Sequence, residues 1–84
     1  MAVTVTKEPP DDLVTLRVTM SMREWRVLRA VLGYGVGGAV GEGKPRAVID
    51  ALWGGLVSAG IADIADPQIR GFVSLPATYE EMGL

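Results

Sequence analysis

The sequence predicts an α+β fold in the order strand, helix, glycine loop, helix, β-hairpin, with a small antiparallel sheet packed on two helices. Three observations carry that prediction. Residues 13–20 alternate apolar and polar side chains with period two, two later segments repeat apolar residues every three or four positions, and Asp66-Pro67-Gln68 separates two short apolar runs. The 84 residues make one domain, read as a flexible lead over 1–12 followed by a single α+β unit over 13–84. At this length one core is marginal, because folding buries only roughly 60–65% of the unfolded chain's surface.

In the lead, Val3 and Val5 alternate with threonines, so a short edge strand is compatible with the residues, and Pro9-Pro10 would end it. The first firm element is the strand over 13–20, where Val14, Leu16, Val18 and Met20 share one face and Thr15, Arg17 and Thr19 the other. Ser21 then opens a helix over 22–32. Ser21 and Glu24 have the S-x-x-E spacing of a capping box, and Met20 with Trp25 the spacing of a hydrophobic staple. Trp25, Leu28 and Leu32 lie on its apolar face, and Gly33 is the expected C-cap.

Six glycines between Gly33 and Lys44 predict a long mobile loop without a regular element. Pro45 suits the first turn of a second helix, whose stripe is Val48, Ile49, Leu52, Trp53, Leu56 and Ala59, and Gly60 ends it. Gly54-Gly55 at its middle implies either close packing on another backbone or a kink. Residues 61–65 and 69–75 around Asp66-Pro67-Gln68 predict the hairpin, and Thr78 with Glu81 predicts a closing helical turn.

Composition narrows the function classes. Apolar residues are 49% of the chain, charged residues 21%, and mean hydropathy is +0.30. A short chain has much surface and little interior, so this excess implies either an unusually complete core or surface covered by a partner or by a second copy, a homodimer being one form. Cysteine and histidine are both absent, which removes disulfides, thiolate metal sites and the commonest general base. No cofactor and no metal site is expected, and the chain reads as non-enzymatic. The first twelve residues lack an apolar leader, and the longest uncharged stretches (30–41 and 51–62) are too short and glycine-broken to span a membrane. A cytoplasmic location is expected. The net charge of −2 conceals a basic stretch over 13–46 and an acidic one over 47–84.

Two phosphate-binding patterns occur without their usual setting. Gly33–Gly38 spells G-x-G-x-x-G, but it follows a helix, and no βαβ unit is expected. Gly38–Lys44 spells G-x-x-x-x-G-K, but Pro45 stands where Ser or Thr would reach magnesium. Lys44, Arg46 and the second helix's start could still hold an anion. Arg23, Arg26 and Arg29 recur every three residues, as a solvated face or as a basic stripe for phosphate or an acidic partner. Trp25 and Trp53 read as core, with Trp53 nearer the edge of its stripe and the better interface anchor. The candidate binding residues are therefore Arg23, Arg26, Arg29, Lys44, Arg46 and Trp53.

Residues 21–75 resemble a winged-helix regulator of the multiple-antibiotic-resistance repressor type. The resemblance lies in the opening helix at 22–32, in a recognition-helix-like segment at 45–61 ending in an L-x-x-x-G-hydrophobic step, and in a wing-like segment at 66–75. It implies DNA binding through a recognition helix. The glycine loop stands where such domains carry a scaffold helix, and the recognition-like segment offers only Arg46 and Ser58 beside Asp50. In size and style the chain also resembles small bacteriophage accessory proteins. The leading expectation is a protein-interaction module, and a nucleic-acid binder using the five basic candidates is the alternative.

Overall fold

Ser21 anchors the corner on which the amino-terminal half is built. The structure, a computed structural model, describes residues 1–9 and 12–84. Strand β2 (Leu13–Thr19) leads into helix α1 (Met22–Tyr34), with Ser21 as its N-cap. The Glu24 amide donates to Ser21 Oγ at 3.2 Å and the Ser21 amide donates to Glu24 Oε1 at 3.0 Å, so both halves of the capping box form. Those bonds, the Ser21 amide first, hold the Glu24 carboxyl below its ordinary 4.5. The helix runs past the expected stop at Gly33. Gly35 caps it, donating to the Val31 carbonyl at 2.8 Å.

Within the lead, the edge strand that Val3 and Val5 allowed forms, and it is longer than expected. β1 (Ala2–Glu8) pairs antiparallel with β2 along its whole length, from Ala2 opposite Thr19 to Glu8 opposite Leu13. Its Val-Thr alternation is in register with that of β2 at the centre, where Val3 faces Val18, Val5 faces Leu16 and Thr6 faces Thr15. Pro9 follows the strand, as the proline pair implied, while Pro10 and Asp11 lie outside the described residues. This two-stranded sheet makes no substantial packing contact with either helix.

The glycine segment differs more. Three of its residues form β3 (Val36–Gly38), which pairs in parallel with β4 (Val73–Leu75). Helix α2 (Pro45–Ser58) lies between them in the chain, so β3, α2 and β4 make the βαβ crossover that the sequence reading excluded. Here glycine serves close approach. A Cβ at Gly37 would collide with the Phe72 ring, and one at Gly38 (φ +127°) would lie 2.8 Å from the Leu75 carbonyl oxygen.

The expected hairpin over 61–75 does not form, and only residues 73–75 of it are a strand. Two causes act together. The carbonyls of Ile61, Ala62 and Asp63 accept from arginines of α1 rather than from a facing strand. The Val73 amide finds its acceptor in Gly35, at 2.9 Å. α2 starts at Pro45 and ends before Gly60, as predicted; at Gly60 (φ +82°) the amides of Gly60 and Ile61 turn back to Val57 and Leu56. Gly54 and Gly55 have nothing within 4 Å of where a Cβ would stand, so close packing within the chain does not explain them, and the helix assignment runs through both. The closing turn is a 3-10 helix at Glu80–Met82, with the Glu81 amide donating to Thr78 Oγ1 at 3.2 Å.

The α+β class is as expected, but its core is small. Among the described residues Ala30, Leu32 and Leu56 are the buried aliphatic side chains, where α1 and α2 meet, and Pro45 at the start of α2 is buried as well. Trp25 and Trp53, read as core, are half-buried and 38% exposed respectively.

Candidate functional site

Arg26 and Arg29, two of the three arginines read as a basic stripe, are engaged inside the molecule. Arg26 donates through Nη2 to the Asp63 carbonyl at 2.7 Å and through Nε to the Ala62 carbonyl at 3.3 Å. Arg29 donates through Nη1 to the Ile61 carbonyl at 2.9 Å, and its guanidinium lies 5.8 Å from the centre of the Trp53 ring. The pair ties the segment after α2 onto α1. Tyr34 reinforces the tie: its hydroxyl donates to Asp63 Oδ2 at 3.0 Å, and that bond, with the carboxylate's charge, raises the phenol above its ordinary 10.0. Arg23 alone of the triplet is exposed and makes no hydrogen bond through its side chain among the described residues.

Arg46 is also occupied. Its Nε donates to Asp50 Oδ1 at 3.0 Å in an i,i+4 ion pair, and its Nη1 donates to the Val36 carbonyl at 2.8 Å. Of the two cations read as an anion site, Arg46 turns toward β3, and Lys44 pairs with no carboxylate among the described residues. Arg46, Asp50 and Trp53, with Leu32 and Gly33, line a small cleft of about 230 Å³. Of the six candidates only Arg46 and Trp53 line this cleft; Arg29 touches it through the Trp53 ring alone, and Arg23, Arg26 and Lys44 stand outside its lining.

Two further features were not read from the sequence. A groove of about 220 Å³, almost wholly apolar, runs between Pro45, Val48 and Ile49 of α2 and Tyr79, Met82 and Leu84 at the carboxyl end. The β1–β2 ribbon is amphipathic. Residues directly opposite one another in an antiparallel pair share a face, so Val3 with Val18, Val5 with Leu16 and Val14 with Lys7 make one side, and Thr4, Thr6, Thr15, Arg17 and Thr19 fall on the other. Val3, Val5, Val14 and Leu16 are each more than half exposed, and Leu16 is 58% exposed. The signal was present in the alternation at 3–7; pairing it with 13–19 would have exposed the face.

Whole-molecule dimensions agree. The accessible surface is 6223 Å², where a compact monomer of 8.9 kDa would show roughly 4,800 Å². The Cα radius of gyration is 14.4 Å against about 12 Å for a compact chain of this length. Among the described residues no helix is long and apolar enough to cross a membrane. Compared with known proteins, the chain matches no family model, no curated protein and no solved structure.

Proposed function

We propose that this chain is a small, non-enzymatic protein-interaction module that acts by binding another protein or its own copy. One observation carries the reading: the accessible surface exceeds that of a compact monomer by about 1,400 Å², and exposed aliphatic side chains line much of it. A standard interface removes roughly 800 Å² from each partner, so the surplus is of the size that association covers. A cytoplasmic setting, expected from the lack of cysteine, belongs to the same proposal.

Nucleic-acid binding through Arg23, Arg26, Arg29, Lys44 and Arg46 draws less support. Three of those five cations already donate to carbonyls or to Asp50 and would have to leave them to reach phosphate. Salt separates the two readings. Association through apolar surface should persist or strengthen from low to high salt, whereas a phosphate contact weakens steeply. Light scattering on the purified chain, with affinity capture from host lysate across that salt range, tests the proposal. Self-association or specific, salt-resistant capture is expected. A monomer that retains no protein, or one that retains DNA only at low salt, would refute it.

A further inference from the structure

We infer that the apolar face of the β1–β2 ribbon is the interface between two copies of this chain, packed face to face about a two-fold axis that lies midway between the ribbons, across the strands and level with the Val5–Leu16 pair. The inference rests on the proposed interaction role and names its partner. A two-stranded ribbon is marginal alone in water, and it persists where an apolar face packs on something. Here neither helix packs against it, and five aliphatic side chains (Val3, Val5, Val14, Leu16 and Val18) cover one side. Edge-to-edge pairing with a second ribbon would satisfy backbone groups but leave that face in water. Stacking the faces removes it, as in two packed sheets about 10 Å apart.

The face suits its own copy because it is nearly free of charge. Its one ionic residue, Lys7, sits at the far end from Val3 and Val18. A two-fold axis through the centre sets the Lys7–Val14 end of one ribbon on the Val3–Val18 end of the other. Lysine then meets valine rather than lysine, its stem lying along aliphatic surface and its ammonium emerging at the rim. Four of the aliphatic side chains on this face are more than half exposed, so they supply an apolar centre for an interface of the roughly 800 Å² per partner that a standard association buries.

The full-length chain tests this by sedimentation equilibrium over a concentration series, alongside Leu16→Asp and Thr15→Asp. The two positions are adjacent but on opposite faces. The wild-type chain is expected to run at twice its 8.9 kDa. Leu16→Asp should weaken the dimer by about a hundredfold or more, because it buries an unpaired charge, while Thr15→Asp leaves it intact. The chain has no cysteine, so Leu16→Cys supplies a second readout independent of stability: a bismaleimide of about 10 Å reach, matching the spacing of stacked sheets, should couple two Leu16→Cys chains and leave Thr15→Cys chains single. A wild-type monomer at millimolar concentration overturns the inference. So does a dimer that Leu16→Asp leaves intact and Leu16→Cys does not crosslink. A monomer that still captures a host protein through Leu16 overturns the dimer but spares the interaction role, and a monomer that captures nothing removes both.

Discussion

In the ribbon, seven residue pairs face one another across a complete antiparallel ladder, yet no side chain of either strand is buried. In the body, β3 and β4 pair over only three residues each, yet α1 and α2 bury Ala30, Leu32 and Leu56 between them. One region has backbone order without a core; the other has a core with little sheet. Hydrogen-bond ladders contribute modestly once water is the alternative partner, while buried apolar side chains contribute about 1.5–3 kcal/mol each. The body should therefore hold together by itself, and the ribbon should depend on what covers it.

Cutting into the core should have the largest effect. Leu56→Ala is expected to lower the unfolding free energy by about 2–4 kcal/mol, whereas Leu16→Ala in dilute solution should stay within about 0.5 kcal/mol. Urea denaturation followed by helical circular dichroism compares them. Equal costs at low concentration would mean that the ribbon is packed against the body, and the contrast between the regions would disappear.

The glycines sharpen the comparison within the body. Gly38→Ala meets both a positive φ and the Leu75 carbonyl and should cost about 1–3 kcal/mol. Gly55→Ala, in a helix with open space around it, should stabilise by about 0.5–1 kcal/mol. Thermal melts of the two variants should move in opposite directions.

The corner joining the regions comes next. Ser21→Ala removes the capping box and should cost about 1 kcal/mol, read in the same melts.

Smallest of all are the pH effects. The Glu24 carboxyl is depressed in the folded chain, so its contribution is present above pH 4.5 and fades as pH falls through the lower folded value. Ser21→Ala should flatten that acid limb. The Tyr34 hydroxyl is raised, so its contribution is present below pH 10.0 and is lost as pH climbs through the folded value. Tyr34→Phe should remove the alkaline limb of a stability–pH curve.

How much was legible depended on how local each signal was. The β2–α1 corner was readable because alternation over 13–19 and the Ser21–Glu24 spacing act within a few residues. α2 was readable from Pro45 and Gly60 for the same reason. The hairpin over 61–75 was misread because its carbonyls are claimed by Arg26 and Arg29, more than thirty residues away. Those same bonds removed two arginines from the candidate site. The Gly33–Lys44 segment was misread because glycine density signals flexibility and close approach alike, and Phe72 and Leu75, which decide between them, lie far along the chain.

The sequence by itself determined both helices, the capped corner, the absence of imidazole and thiol chemistry, and an apolar content beyond what a short chain can hide. Only the tertiary structure decided that β3 and β4 pair in parallel, that three of the five basic candidates serve the fold, and that one ribbon face and one groove are apolar and open. Periodicity and caps are set by neighbours in the chain. Which carbonyl an arginine meets, and which face water still touches, is set by residues that become neighbours only on folding.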